Sequence, residues 1–286
     1  AKIAAKGIYR DATRSSHSFF VKASGLRGVV MMLLVPIPWA KRVLALPFFA
    51  VLAPSERYHE ERKLRHKTIT DWARQMILQV RGWLPQRALI FVADGGYAVL
   101  TLLSHCIHLS PAATFITRLR LDAALYEPAT PRKPKQKGPP RKKGKRLPTL
   151  NERLKSKATR WTSVTLTNWY GEATRTVETA SGTAVWYHSG QPVVPIRWVL
   201  IRDPKGKFQP QALLCTDQTA DPVQIVTWFT LRWQLEVTFQ EVRTHLGVET
   251  QRQWNDLAIL RTTPALMGLF SLVTLFANAY SVQNTL

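Results

Sequence analysis

The chain has 286 residues, 45% of them hydrophobic, with 10 Trp and 11 Phe, so it can bury the core of at least one large domain. The two cysteines, Cys106 and Cys215, stand in no ligand-like spacing, which excludes a disulfide framework and a cysteine metal site. A formal charge of +22, from 40 Lys and Arg against 18 Asp and Glu, indicates a polyanionic partner, either nucleic acid or an acidic membrane.

Three strands and one long helix are predicted for the first part of the chain. Apolar runs at Phe19–Ser24, Val29–Ile37 and Val43–Leu52 have the composition of strands. Ser55 is a good helix N-cap, and the charged amphipathic stretch behind it predicts one helix that continues to about Gly82.

A buried strand that ends in an acid comes next. Ala88–Ala93 is a continuous apolar run and predicts a central strand, which ends at Asp94 and is followed by two glycines. A helix is predicted over 98–108 and a further strand over Thr114–Leu119. Because carboxylates at strand ends can converge on a metal ion, Asp94 is a candidate ligand. The alternative is that Asp94 only caps the turn behind it.

A basic, proline-rich segment, Pro128–Pro148, interrupts this pattern; we call it the basic tether. It holds nine Lys or Arg, six Pro and two Gly, with no acid and no aromatic residue, and therefore predicts an exposed, extended chain. Its cations are candidate contacts to DNA phosphates. They are Arg132, Lys133, Lys135, Lys137, Arg141, Lys142, Lys143, Lys145 and Arg146.

The region behind the basic tether is rich in predicted strands. These are Trp161–Thr167, Thr174–Thr179, Ala184–His188, Val193–Ile201 and Ala212–Cys215. It also carries Trp161, Trp169, Trp186 and Trp198, for each of which packing in the core is favoured over a contact with nucleic acid.

A helix that mixes acids and bases closes the β-rich region. Asp221 as N-cap and a proline at the first helical position predict its start, and the helix is predicted to continue to Leu246. On one continuous helix, Phe229, Arg232, Glu236 and Arg243 share a narrow face. Two guanidinium groups could then hold the Glu236 carboxylate ionised and also grip phosphates. The alternative is an ordinary salt-bridged surface, because Arg232 and Glu236 are four residues apart.

The last stretch, Thr262–Leu286, contains no charged residue. Its apolar centre, Ala265–Ala277, is interrupted by Ser271 and Thr274 and is shorter than the ~20 residues that a membrane span requires. The prediction is a helix in the core of the protein, and a transmembrane helix is the alternative.

The spacing from Phe229 to Arg243 resembles the signature of bacterial insertion-sequence DDE transposases, which reads Tyr, two residues, Arg, three residues, Glu, six residues, Lys. This chain has Phe229 for the Tyr and Arg243 for the Lys. The stretch Ile90–Tyr97 also resembles the strand that carries the second aspartate of that family. The resemblance implies an α/β fold with a mixed sheet, which is an RNase H-like catalytic core with a β-rich insertion.

The resemblance also implies a chemistry. Asp94 and Glu236 would bind Mg²⁺, or Mn²⁺ in its place, and Arg232 and Arg243 would orient Glu236 or grip DNA. The partners would be double-stranded DNA at transposon ends and target sites, and a second copy of the chain in the active assembly. An insertion-domain Trp in related transposases stacks on a flipped base. The place of action would be the bacterial cytoplasm at the nucleoid, with no membrane.

The first catalytic aspartate of the family has no clear counterpart. Asp11 is the only acid before Glu56, and it lies in a polar stretch that reads as a loop. The expectation is that the first aspartate lies upstream of Ala1 and that this chain alone does not cut DNA.

The expected organisation has four parts. Residues 1–126 would begin the core, 127–149 form the basic tether, 150–218 form the β-rich insertion, and 219–286 complete the core with helices. Two alternatives stay open: a DNA-binding remnant of a truncated transposase without catalysis, and a basic protein anchored to a membrane by Thr262–Leu286.

Overall fold

The computed structural model describes residues 3, 5–10, 15, 19–131, 138–250, 253 and 255–283. Its strands are β1 (Gly7–Arg10), β2 (Lys22–Gly25), β3 (Gly28–Ile37), β4 (Arg42–Leu52), β5 (Ile90–Val92), β6 (Thr114–Leu119), β7 (Leu125–Tyr126), β8 (Thr162–Trp169), β9 (Glu172–Trp186), β10 (Val194–Arg202) and β11 (Gln211–Cys215). Its α-helices are α1 (Glu56–Glu61), α2 (Ile69–Trp83), α3 (Leu100–Ile107), α4 (Leu150–Lys155), α5 (Pro222–Leu231), α6 (Trp233–Leu246) and α7 (Asp256–Gln283). The chain divides into two compact units, Val80–Arg232 and the remainder.

The unit Val80–Arg232 is built on one mixed sheet. The strand order is β5-β6-β11-β10-β9-β7, with β8 paired to β9; β5 and β6 are parallel and the other pairs are antiparallel. This arrangement confirms the predicted α/β class with a mixed sheet. Strands β8 to β11, from the predicted β-rich region, share this sheet with β5 and β6. The four-part division of the chain stays a prediction.

Helix α5 covers one face of this sheet. Its buried residues Ile225, Val226 and Phe229 pack on Ile116, Val199, Ile201, Leu213 and Cys215 from three central strands. Asp221 caps the helix by accepting a hydrogen bond from the Gln224 backbone amide at 2.9 Å, as predicted. Successive side chains of a strand point to opposite faces, so the buried Phe115 and Leu214 point away from α5.

The second unit is a β-hairpin packed against helices. Strands β3 and β4 pair along their whole length, and β4 contacts α6 and α7. The Thr238 hydroxyl of α6 donates to the carbonyl of Ala45 at 2.7 Å, and the Ser271 hydroxyl of α7 donates to the carbonyl of Pro47 at 2.6 Å. Both helices are therefore fixed along the backbone of β4.

The single helix predicted from Ser55 to Gly82 is wrong. Ser55 caps a helix, but α1 ends at Glu61 and Lys63 takes a left-handed backbone conformation with φ 54°. A second start follows, where the Thr68 amide and hydroxyl both donate to a carboxylate oxygen of Asp71, at 3.0 and 2.8 Å. These hydrogen bonds start a new helix, α2, instead of continuing α1, because side chains and not helical carbonyls accept from the Thr68 and Asp71 amides.

Two further strand predictions need correction. The runs predicted as separate strands at Thr174–Thr179 and Ala184–His188 form the single strand β9. Gly182 lets the middle of that strand pass close to the Trp198 side chain, because a Cβ there would lie 2.7 Å from the Trp198 ring. The segment Phe19–Ser24 is extended only from Lys22 onward.

The core-helix prediction for Thr262–Leu286 is wrong over most of its apolar face. Leu269, Val273 and Phe276 are exposed and Phe270 is half-buried. Residues 257–281 are long and apolar enough to cross a membrane by length and composition alone, and most of this stretch is not buried. One such helix is weak evidence for a membrane span.

An ion pair in the sheet gives a first test of the fold. The Arg175 Nη2 atom lies 2.5 Å from an Asp203 oxygen, and this hydrogen bond holds the pKa of the Asp203 carboxyl below its usual range. A depressed pKa contributes stability above the ordinary carboxyl pKa, and this stability is lost as the pH falls through the folded-state value. We expect Arg175→Gln to lower the free energy of unfolding at neutral pH, and the difference from the wild type to shrink below about pH 4.

Urea denaturation followed by Trp fluorescence at several pH values measures this difference. The matched control is Arg120→Gln, because Arg120 forms an exposed ion pair with Asp122, and such a pair contributes little to stability. A difference between wild type and Arg175→Gln that stays constant down to pH ~3 would contradict the assignment.

Candidate active site

Asp94 stands at the carboxyl end of β5, on the exposed rim of the mixed sheet. The backbone amide of Ala93 still donates to Ile116 of β6 at 2.9 Å, so the strand geometry holds up to the residue before Asp94. One oxygen of Asp94 accepts a hydrogen bond from the Gly95 amide at 2.8 Å and caps the short 3-10 turn Gly95–Tyr97. Asp94 therefore does cap the next turn, and its carboxylate is also exposed at the sheet edge.

The neighbouring strand β6 holds the Asp94 loop in place and brings Arg118, which was not among the predicted site residues, beside it. The buried Thr117 hydroxyl donates to the carbonyl of Asp94 at 2.8 Å. Val92 pairs with Ile116 in parallel register, so Arg118 comes beside Asp94 two residues later. A Cβ on Gly95 would lie 3.5 Å from the Cβ of Arg118, which is ordinary contact. Arg118 is thus an exposed cation next to the Asp94 loop.

Phe229 links this cation to the signature arginine. Its ring is 1% exposed and belongs to the core under α5. The guanidinium carbons of Arg118 and Arg232 each lie 5.6 Å from the ring centroid. Such contacts with an aromatic ring orient guanidinium groups. The guanidinium groups of Arg118 and Arg232 therefore meet at one buried ring, and Arg118 is the one of the two that stands next to the Asp94 loop.

The other half of the signature is on a different helix. The predicted helix from Asp221 to Leu246 is divided: α5 ends at Leu231, and α6 begins at Trp233. The prediction of one continuous helix is therefore wrong, and the shared face of the four signature residues stays a prediction. Glu236 lies exposed in the first turn of α6, two residues before the Thr238 hydroxyl that fixes this helix to β4.

Arg243 takes a partner other than the predicted one. Its Nε atom lies 2.9 Å from a carboxylate oxygen of Glu249, and both side chains are about half exposed. Gly247, with φ 66°, follows the last residue of α6 and turns the chain so that Glu249 comes back to Arg243. The convergence of Glu236 with Asp94 stays a prediction.

The basic tether is held at its C-terminal end. The Glu127 amide donates to the carbonyl of Lys145 at 2.8 Å and the Leu147 amide donates to Leu125 at 2.9 Å, so 144–147 run alongside β7. Lys145 and Arg146 are exposed, as predicted, although the backbone of this stretch is hydrogen-bonded to the sheet. Gly144 permits the close approach, since a Cβ there would lie 2.5 Å from the carbonyl oxygen of Pro128.

The predicted DNA contacts in the basic tether fall into three groups. Arg132, Lys133, Lys135 and Lys137 lie outside the described residues. Arg141, Lys142, Lys145 and Arg146 are exposed. Lys143 is half-buried, with its Nζ atom 3.6 Å from the Tyr126 ring centroid and 5.1 Å from that of Tyr187. Lys143 is therefore engaged with aromatic rings.

Three of the four tryptophans singled out in the β-rich region pack in the core. Trp169, Trp186 and Trp198 are buried, which confirms the prediction of core packing for these three. Trp161 is half-buried, and the Arg202 guanidinium carbon lies 3.9 Å from its ring centroid. The two cysteines are free and buried, and burial raises the pKa of each thiol to about 12, so neither is a nucleophile.

The carboxylates fit a hard divalent cation in type. Asp94 and Glu236 offer exposed oxygen donors, which Mg²⁺ and Mn²⁺ accept. Within the described part of the chain, no group of three or more His, Cys, Asp or Glu side chains is close enough to hold a metal. Asp11 lies outside the described residues, so its contribution is untested.

A family model described as DDE superfamily endonuclease matches residues 17–186, more than half of the chain. The chain belongs to the DDE superfamily of endonucleases. The match includes Asp94 and Arg118 and stops before the segment Phe229–Arg243.

One solved structure resembles this chain only weakly. It is the cryo-EM structure of a piggyBac transposase synaptic complex with hairpin DNA, with 10% identity and a TM-score of 0.40. The similarity covers 90% of this chain and 48% of that one, so the chain spans about half the length of that transposase. No curated protein matches this sequence.

Proposed function

We propose that this chain is the catalytic region of a DDE transposase of the insertion-sequence type, which cleaves the ends of a mobile DNA element and joins them to target DNA. The observation that carries the proposal is the carboxyl end of β5. There the exposed Asp94 lies beside the strand that carries Arg118, and one buried ring, Phe229, contacts the guanidinium groups of both Arg118 and Arg232. Cations that flank a carboxylate suit a phosphodiester, since they attract its charge while the carboxylate binds metal.

Each residue then has a role. Asp94 and Glu236 would bind Mg²⁺, which, when bound, activates water and stabilises the leaving oxygen. Arg118 and Arg232 would donate hydrogen bonds to the oxygens of the phosphate that is attacked. Phe229 would act as a positioning residue, because its ring has no hydrogen-bonding group and is buried. Arg243 would either stabilise the end of α6 through its ion pair with Glu249 or leave Glu249 and bind a DNA phosphate.

DNA would be held outside the catalytic neighbourhood by the basic tether. The exposed cations Arg141, Lys142, Lys145 and Arg146 suit contacts to phosphates, which bring affinity without sequence preference. The active assembly would contain two copies of the chain, and the place of action would be the bacterial cytoplasm at the nucleoid.

The second candidate function is a DNA-binding remnant without catalysis. It rests on the formal charge of +22 and the exposed cations of the basic tether, which favour DNA binding whether or not the chain cuts DNA. A nicking assay on an element end with Mg²⁺ or Mn²⁺ separates the two candidates.

Arg118 gives a test of the proposed DNA contact. We expect Arg118→Gln to weaken binding to duplex DNA severalfold and to reduce the log–log salt slope by about 1, as for any lost phosphate contact. The matched control is Arg120→Gln, because Arg120 lies two residues farther on, is exposed and is already paired with Asp122. Fluorescence anisotropy at several salt concentrations measures both variants. Equal slopes for Arg118→Gln and Arg120→Gln would remove Arg118 from the site.

A further inference from the structure

Helix α7 turns an apolar face to solvent, while its inner face mixes hydroxyl groups with apolar side chains. The inner face carries the hydroxyls: Ser271 donates to the Pro47 carbonyl, and Thr274 donates to the Phe270 carbonyl at 2.8 Å. Met267 joins this inner face in a buried cluster with Val242 and Val248. The outward positions are apolar, although surface helices normally turn charged or polar residues to solvent.

The outward residues form a continuous stripe. Ala265, Leu269, Leu272, Phe276 and Ala279 are all exposed, and their spacing of four, three, four and three residues places them along one line of the helix. Val273 and Leu275 widen this line on its two sides, and both are exposed as well. We call these residues the α7 stripe. Apolar residues at this spacing are the pattern with which one helix packs against another.

The area of the α7 stripe is large for a surface that stays in water. Phe276 is 71% exposed and Leu272 is 53% exposed. At roughly 100 Å² for each large exposed side chain, the stripe offers about 500 Å² per chain, near the upper end of the largest patches on monomers. Two stripes face to face would bury about 1,000 Å², which reaches the lower limit of specific protein interfaces.

We propose that the α7 stripe binds the α7 stripe of a second copy of this chain. The stripe carries no charge, so it offers nothing to DNA or to a charged partner. A two-fold interface brings the same patch of both copies together, and an uncharged apolar patch satisfies that requirement without any repulsion. The proposal concerns the surface used and does not depend on the proposed catalytic function.

A membrane is the less suitable occupant. To span a bilayer, α7 would have to leave β4 and α6, which would break the buried Ser271 hydrogen bond and the cluster around Met267. To lie on a bilayer surface, an amphipathic helix needs a polar, usually basic face toward water. The inner face of α7 is instead covered by protein.

Ultracentrifugation of the nuclease-treated chain, in about 0.5 M salt and without detergent, tests the interface, since DNA bridging is weak at that salt. We expect a concentration-dependent dimer, and at least a tenfold weaker dimer for Leu272→Glu/Phe276→Glu. The matched control is Leu33→Glu, because Leu33 is 60% exposed on β3 and lies outside the stripe. A monomeric wild type at about 100 µM, or a dimer equally strong in the double variant, would overturn the proposal.

Cross-linking decides the case if the double variant fails to fold. Because both native thiols are buried, a cysteine introduced at Phe276 is the readily accessible thiol among the described residues. We expect Phe276→Cys, oxidised at low concentration, to form covalent dimers, and Leu33→Cys to form few. Equal yields would overturn the proposal. Cosedimentation of the wild type with phosphatidylcholine–phosphatidylserine vesicles, lost in the double variant, would identify a membrane as the occupant and would also overturn it.

Discussion

Affinity of the purified chain for duplex DNA is expected to fall about a thousandfold between 50 and 200 mM salt. The formal charge of +22 and the exposed cations of the basic tether provide the contacts. Neutralising about six phosphates gives a log–log slope near −5, because each contact releases a condensed counterion. Fluorescence anisotropy with a labelled duplex, repeated over the salt range, measures the slope.

The basic tether supplies its own control for this experiment. Arg141→Gln/Lys142→Gln removes two exposed cations and is expected to reduce the slope by about 2. Lys143→Gln removes the same type of charge from a side chain that contacts the rings of Tyr126 and Tyr187, and we expect little change in slope. A slope near zero for the wild type would contradict DNA binding by charge. Equal effects of the two variants would show that Lys143 leaves its aromatic partners when DNA binds.

The second large effect concerns cutting. Two carboxylates do not complete the metal pair that stabilises both attacking and leaving oxygens, so we expect nicking of an element end only where a third carboxylate joins Asp94 and Glu236. A version extended upstream of Ala1, where this brings a third carboxylate to the site, is expected to nick with Mg²⁺ or Mn²⁺. In that version, Asp94→Asn or Glu236→Gln should each reduce the rate at least about a thousandfold, since each removes a metal ligand.

Two outcomes would change this interpretation. Robust nicking by the 286-residue chain that Asp11→Asn abolishes would show that Asp11 completes the catalytic set. Undiminished nicking by the Glu236→Gln form would remove Glu236 from the site and with it the proposed mechanism. Persistent binding without nicking in every version would favour the DNA-binding remnant.

Local patterns determined much of the secondary structure. Strand β6 has the predicted bounds Thr114–Leu119, and Asp221 with Pro222 marks the start of α5, because a cap and a proline act within one turn of backbone. The apolar run at Ala88–Ala93 predicted the strand that leads to Asp94, since such a run needs only consecutive apolar residues. The prediction that this strand is central and buried is wrong, because β5 covers only Ile90–Val92, stands at the end of the sheet and has no buried residue. The sequence by itself therefore located the candidate carboxylate and the family signature.

Only the tertiary structure decided which residues surround that carboxylate. Arg118 comes beside the Asp94 loop through the parallel register of β5 and β6, and it meets Phe229, 111 positions farther along the chain, only because α5 packs across that sheet. The exposure of the α7 stripe could not be predicted from the sequence for the same reason. Composition shows that α7 is apolar, but which face is covered depends on where β4 accepts the Ser271 hydroxyl, a contact between residues 224 positions apart. Burial and strand register are properties of packing between distant segments, and local sequence patterns do not carry them.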